Sequence, residues 1–570
     1  MASFLRLVHI VTGEVLTFDL DKLPRFCAVS HVWKEGLFQA GVPFAQCRGS
    51  TVLRSMLDET IRDVEFYWID TVCIDQDDPE DKERQIPLME RIYSQAEVVV
   101  ITLGLVLGVT QKDIDELESS VREACEMDKN GTYREHGLFW QRRDGRAIIG
   151  RAMTMLSRLV ISDWATRVWT MQEYALARDI IWVGTDAQAF RVSNRTLVAL
   201  PSICNQLSIA ECIGGGYARL YNCIMGMATF REQGIDRTRV MELLGSRGAS
   251  VPQDEVYGAM AVTRVIIPID YTMPRELVWL AWCEQSVLEG ELRMALLPTF
   301  PGSHVDEQYR NCAFPDFAVR SLSSSSSPIT AVRPVLGPSV AEGTVSMYGR
   351  RAGICKFVRR LDPVIEDPEI GILRDITLSM YTEGIWRRAF EIATAFGCGF
   401  FTKHQTRNIA ILLYLNYGQA RHILRTRAWN KFKVRFANDE QAFDFQNFML
   451  LQSEVMPYIN EGLPYLIKIK GAGTVTYTMC SMRQAPSQEQ YLAIDFQAEA
   501  APGRVSLMLV TRQSDAAAYH KEAMTGVVHI CDNAHNETAF NHLKLTSAAE
   551  YQYFEVGGRK CTTCNPKKAG

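Results

Sequence analysis

Four short runs in the first half of the chain are apolar almost without interruption: Phe26-Cys27-Ala28-Val29-Ser30, Phe66-Tyr67-Trp68-Ile69-Asp70, Val98-Val99-Val100-Ile101-Thr102-Leu103 and Ile180-Ile181-Trp182-Val183-Gly184. Runs of this length, rich in β-branched and aromatic residues, suit strands covered on both faces. Helix-like segments separate them, so the alternation predicts βαβ units and a parallel sheet. One helix is expected from near Asp81, with Ile86, Met89 and Ile92-Tyr93 at helical spacing. Pro87 removes a donor and clashes one turn back, so a start at Pro87 itself, in the first turn, is the alternative. A second helix is expected from Ser162 or Asp163, both good N-caps, to Ala177. Trp164, Val168, Met171 and Ala175 form its apolar face, and Trp169, Glu173 and Ala177 lie on a different one. The polar segment from Thr110 to Gly150, with an acidic helical stretch from Asp113 to Glu126, reads as a surface insertion at about 106–160.

The pattern changes in the second half. Ser321-Leu322-Ser323-Ser324-Ser325-Ser326-Ser327-Pro328, followed by Pro334, Gly337 and Pro338, cannot bury enough apolar surface to fold and reads as a linker. Beyond it, strands are expected over Gly343 to Val358, Tyr465 to Ile469, Val475 to Cys480, Tyr491 to Phe496, Val505 to Val510 and Val527 to Cys531. Helices are expected over Asp375 to Phe396 and Lys403 to Phe432. The organisation that follows is an α/β domain over 1–300, a Ser/Pro-rich linker over 301–340 and an α+β domain of unknown role over 341–570.

Bulk properties narrow the function classes. A chain of 570 residues is too long for one hydrophobic core, so at least two domains are required. The net charge of −5 and the lack of a basic stripe argue against nucleic-acid binding. The 15 cysteines are scattered and odd in number, which suits reduced thiols in the cytoplasm better than a disulfide framework. Met1 to Val11 carries Arg6 and His9 and no cleavage pattern, so no signal peptide is read. The longest apolar run, Val98 to Val109, is too short for the roughly 18–20 residues of a spanning helix. Cys561-Thr562-Thr563-Cys564 with Cys531 and His535 offers four zinc ligands, but at a spacing that matches no common site, so no metal is expected. Gly214-Gly215-Gly216 lacks the strand–glycine–helix context of a dinucleotide loop, and no P-loop, Ser-His-Asp or Cys-His signature is found.

In an open parallel sheet, ligands bind beyond the carboxyl ends of the strands, where the strand order reverses. That rule directs attention to Ser30-His31-Val32-Trp33-Lys34 and to Asp70-Thr71-Val72-Cys73-Ile74-Asp75-Gln76, with Glu173 on the helix after the third apolar run.

These segments resemble a known family. Trp68 to Gln76, Glu83-Arg84, Met89 through Ile92-Tyr93, Ala96 and Leu103-Gly104 look like the central block of the fungal heterokaryon incompatibility (HET) domain. Ala28 to Trp33 resembles its opening block and Arg167-Val168-Trp169-Thr170-Met171-Gln172-Glu173 its third. Arg247, Asp254-Glu255-Val256-Tyr257 and Asp270-Tyr271 resemble its closing block. His31 stands where an aromatic is common, Lys34 where a glycine usually follows the tryptophan, and Asp75 where asparagine is usual. The family is in turn similar to the Toll/interleukin-1 receptor (TIR) domain, which implies a flavodoxin-like (TIR-like) parallel sheet. Some TIR domains cleave NAD with one glutamate, and Glu173 is the matching carboxylate.

That resemblance implies NAD as substrate, with no prosthetic group. Nicotinamide leaves NAD as a neutral molecule, so no general acid is needed, and one carboxylate that offsets the developing ribosyl cation suffices, unlike the usual two-carboxylate glycosidase. On this reading Glu173 is catalytic, and Ser30, His31, Trp33, Lys34, Asp70, Cys73, Asp75, Gln76, Arg84 and Trp169 line the nucleotide site. Trp33 and Trp169 would stack on a base, and Lys34 and Arg84 would face the pyrophosphate. The ordinary roles of the same residues stand beside these. A helix glutamate is usually solvated, tryptophans pack cores, aspartates cap turns, and Arg84 would make a surface ion pair. Two functions remain open: a NAD glycohydrolase that self-associates to trigger cell death after non-self recognition, and a non-catalytic module that acts by oligomerisation or by binding a protein trigger.

Overall fold

In the computed structural model the described residues are chiefly 4–56, 64–130, 162–199, 226–233, 247–296, 344–360, 463–482, 488–512, 519–531 and 551–557. They belong to two compact units, residues 1–275 and 276–570.

The first unit is built on a seven-stranded sheet: β1 (Phe4–His9), β2 (Val15–Asp19), β3 (Phe26–Ser30), β4 (Phe66–Ile69), β5 (Val99–Thr102), β6 (Ile180–Val183) and β7 (Ala189–Phe190). Its order is β2-β1-β4-β3-β5-β6-β7. The four expected strands are its centre and run parallel, with Phe26 opposite Phe66, Ala28 opposite Val99, and Val99 opposite Ile180. Every residue of β3, β5 and β6 is buried, which is why these runs carry no polar alternation.

The sheet is mixed, not wholly parallel as expected. β1 pairs antiparallel with β2 and β4, and β7 antiparallel with β6. β1 and β2 form an edge hairpin closed by Gly13 at φ 75°, with only partial cover. A strand buried on one face shows only a short alternation, easily lost among mixed residues.

Pro87 resolves the first helical ambiguity by breaking the segment. Asp78 caps α-helix Pro79–Gln85 by accepting from the Glu80 amide. Pro87 then lies in the first turn of a 3-10 stretch, Ile86–Leu88, and an α-helix resumes over Met89–Gln95. The second expected helix is also two pieces. Ser162 caps a 3-10 turn, Asp163–Thr166, and Arg167 is extended. The α-helix carrying Glu173 is Trp169–Ala175. The break is tertiary: the Gly248 amide donates to the Thr166 carbonyl at 2.8 Å, and the Val168 amide donates to the Gly248 carbonyl at 3.1 Å.

Arg247 holds the same break. It is buried and donates from Nη1 to the Arg167 carbonyl at 2.7 Å and to Thr170 Oγ1 at 2.9 Å. Arg247→Ala would leave that carbonyl with only the Thr170 hydroxyl as side-chain donor, so a loss of about 1.5–3 kcal/mol is expected by chemical denaturation. Helix Asp254–Thr263, buried from Val256 to Thr263, packs on the Glu173 helix, with Gly258 lying against Val168.

The acidic stretch forms helix Gln111–Lys129, whose Ile114, Leu117, Val121 and Ala124 are buried. Of the helix Arg48–Met56, Gly49 is tightly confined, since an added Cβ would stand 2.2 Å from Phe38 Cζ. Phe38 is itself buried, edge-on to His31 at 5.1 Å. Gly49→Ala is therefore expected to cost about 1–3 kcal/mol by overpacking, read as a lowered Tm.

The second unit is β-rich. Its described residues include the helices Arg275–Leu288 and Arg293–Leu296 and an eleven-stranded sheet with Thr344–Arg360, Leu463–Lys470, Val475–Met482, Tyr491–Asp495, Arg504–Arg512 and Tyr519–Cys531. The expected strands are all present, and most pairings are antiparallel. The helices expected over 375–396 and 403–432, the serine tract 321–328, and His535, Cys561 and Cys564 lie outside the described residues. The described part of this unit is thus β-rich. No helix among the described residues is long and apolar enough to cross a membrane.

Candidate functional site

The chain leaves β3 for β4 on one side and later returns to pair β5 on the other, so the order reverses at β3. Ser30 ends β3 and Thr102 ends β5, and Thr102 Oγ1 donates to the Ser30 carbonyl at 3.3 Å. Polar side chains gather at this carboxyl end.

Glu173 is among them, and it is not solvated. It is only 6% exposed. Ser30 Oγ donates to Glu173 Oε2, and the Trp164 indole donates to Ser30 Oγ at 2.5 Å. Burial, with help from the negative charge of Glu173, raises the buried Tyr93 hydroxyl well above its usual range. Burial pushes the Glu173 carboxyl up to about 7, helped by the negative charge of Asp70 and opposed by the Ser30 bond, Arg167 and His31. The group therefore changes charge near neutrality, a property of acids and bases with chemical work to do.

A second cluster centres on Asp70. Its Oδ1 accepts from the Thr71 amide at 2.7 Å and bonds His31 Nε2 at 2.8 Å. Its Oδ2 accepts from Trp33 Nε1 at 2.7 Å. Burial would raise Asp70, but His31, Trp33 and the Thr71 amide outweigh it and hold the carboxyl below its usual range. Gln76 Nε2 donates to the Asp70 carbonyl at 3.0 Å and braces the turn. Trp33 is 39% exposed, so core packing is not its role.

The loop after β3 reaches across the strand ends. Glu35 Oε2 accepts from the Gly104 amide at 2.5 Å, just beyond β5, and Glu35 Oε1 lies 3.5 Å from the Ser162 hydroxyl. Lys34 pairs with Asp163 at 2.7 Å. Burial raises the Glu35 carboxyl above its usual range, against the Gly104 bond and with help from Asp163.

The structure thus brings together Ser30, His31, Trp33, Lys34, Asp70, Gln76 and Glu173. Cys73 lies apart as a buried thiol facing the Ile69 amide, pushed up to about 12 by burial. Asp75 and Arg84 belong to a network around Asp81. Asp81 pairs with Arg6 and accepts from the Asp75 amide at 2.8 Å, and Arg84 lies 3.6 Å from Asp78 and 3.7 Å from Asp81. Trp169 is half-buried, and Asp254 accepts from the Tyr271 hydroxyl at 2.9 Å.

Sequence reasoning missed Trp164 as a donor, the charge of Glu173 acting on Tyr93, and Glu35. Each of the two aromatics reads as core by its spacing. The available signal is that a buried indole or phenol requires a hydrogen-bond partner. Glu35 was marked only by the turn that Gly36 closes at φ 68°.

Comparison with known proteins places this geometry in context. Residues 26–173 match the model of the family described as Heterokaryon incompatibility protein (HET). The chain is also similar to "Heterokaryon incompatibility protein 6, OR allele" of Neurospora crassa, at 27% identity over 236 residues. That match covers 35% of this chain and 34% of the relative, so it spans about a third of the relative's length. No solved structure matches the chain.

Proposed function

With residues 26–173 as a HET domain, we propose that the protein is an incompatibility effector that acts in cell death by hydrolysing the nicotinamide–ribose bond of NAD when it self-associates. The observation that carries this reading is Glu173: a buried carboxylate, titrating near neutrality, at the reversal point of a parallel sheet. The parallel strands follow the order 2-1-3-4, which supports a flavodoxin-like and hence TIR-like core, and in such sheets this is where nucleotides bind. Ionised Glu173 would offset the ribosyl cation as nicotinamide leaves. Exposed Trp33 offers a face for a base, and Lys34 offers a cation for the pyrophosphate if its pairing with Asp163 is exchanged. The full-length protein, allowed to assemble, is incubated with NAD and the products are separated by chromatography. Wild type is expected to release nicotinamide, and Glu173→Ala at least about 100-fold less. Equal release by the two, or none from assembled wild type, sinks the reading.

One observation favours a second reading. Glu173 is already engaged by Ser30 in the single chain, as a residue serving structure would be. The domain would then act as a non-catalytic module that triggers death by assembly or by binding a partner. A Glu173→Gln variant that kills cells while NAD stays constant would favour it.

A further inference from the structure

Ser30 was expected among the nucleotide contacts, yet its side chain is committed elsewhere. Ser30 is buried at the end of β3 and meets two groups from distant parts of the chain. Trp164 comes from the Asp163–Thr166 turn, and Glu173 from the helix after the break. An indole nitrogen can only donate, so it occupies a lone pair on Ser30 Oγ. The serine has a single hydroxyl proton, and the Oγ contact to Glu173 Oε2 takes it whenever that carboxylate is ionised. The three groups therefore form a one-way chain, indole to hydroxyl to carboxylate. Each bond in such a chain polarises the next, and in a buried setting the effect is not screened by water.

We propose that Ser30 is the positioning residue of Glu173: its hydroxyl, oriented by the Trp164 indole, holds the carboxylate in place at the reversal point of the sheet. Ser30 acts through Glu173 and contacts no substrate. Its bond favours the charged carboxylate, against the burial that favours the neutral acid. Ser30 and Trp164 thereby decide at what pH Glu173 becomes anionic. The consequence for turnover rests on the NAD reading, whereas the carboxyl titration does not.

The test is infrared titration of the full-length chain. The carbonyl stretch of protonated Glu173 is identified as the band that Glu173→Gln removes, and its loss is followed with pH. Ser30→Ala is expected to move the midpoint upward by about one pH unit, the size of one hydrogen bond to a charged group. Ser30→Cys, close in size but a weak donor, should shift it in the same direction and serves if the alanine variant does not fold. Ser30→Thr, which keeps the hydroxyl, should restore the wild-type midpoint. Trp164→Phe keeps a ring but frees the serine hydroxyl to rotate, so a smaller upward shift is expected. Folded Ser30→Ala and Ser30→Cys proteins that titrate at the wild-type midpoint would overturn the proposal. If nicotinamide is released, the acid limb of its rate moves with the band. If the band moves as expected and no protein, wild type included, releases nicotinamide, the positioning role stands and the NAD reading fails.

Discussion

Glu173→Gln is expected to make the protein more stable above neutral pH while cutting nicotinamide release by about 10²–10³-fold. Both effects follow from one buried carboxyl. In the unfolded chain Glu173 loses its proton near the ordinary value of 4.5, but in the folded chain only near 7. Below pH 4.5 both states are protonated and folding carries no penalty. Between 4.5 and 7 the unfolded state ionises while the folded state does not, so wild-type stability falls as pH rises. Above 7 the penalty levels off at about 3 kcal/mol. Glutamine does not ionise and escapes it. Any cost of imperfect bonding to Ser30 is the same at every pH and cancels when two pH values are compared. Urea denaturation at pH 5 and pH 8.5 should show the variant gaining about 2–3 kcal/mol on wild type between them. A constant difference would mean that Glu173 does not carry its proton to neutrality. Release by wild type should rise with pH through about 7, because only the anion can offset a ribosyl cation. Instability at the site and activity from it would then have the same origin, the usual trade of a working site.

Trp164→Ala is expected to produce the largest loss of stability, about 3–5 kcal/mol. The side chain is fully buried. Its ring stands edge-on to Trp182 at 5.0 Å and to Tyr174 at 6.4 Å, joining the turn, the helix and β6. Its removal leaves a cavity between elements of the central sheet and also takes the donor from Ser30. Trp164→Phe keeps much of the ring contact and should cost about 1–3 kcal/mol, mostly for the unmet polar group. A comparison of denaturation midpoints separates packing from hydrogen bonding. A cost under about 1 kcal/mol for the alanine variant would contradict the packing described here.

The parallel centre of the sheet was legible because strands covered on both faces must be apolar throughout, and Phe26–Ser30, Val99–Thr102 and Ile180–Val183 are. The hairpin Phe4–Asp19 was not read, because one covered face leaves only alternate positions apolar. The break at Arg167 could not be read locally. Its cause is Gly248 and Arg247, some eighty residues on. Glu173 was expected off the apolar face of one continuous helix, but its helix is buried from Thr170 to Tyr174, and helical spacing says nothing of what stands opposite. Ser30 meets it there, and neither local spacing nor charge pattern announces a contact 143 residues apart. Asp70 was legible as a strand-end aspartate, whereas its bonds to His31 and Trp33 required the two loops to be seen side by side.

The long reach between Ser30 and its partners also bears on synthesis. The contacts to Trp164 and Glu173 span 134 and 143 residues, and the helix packed on the Glu173 helix ends only at Thr263. A ribosome adding roughly 5–20 residues each second needs on the order of a quarter of a minute to a minute to emit that much chain. Contacts so distant in sequence also close slowly once the chain is available. A nascent chain thus lacks the assembled carboxylate site for nearly the first half of its production, and whatever that site does is withheld until the first unit has been made whole.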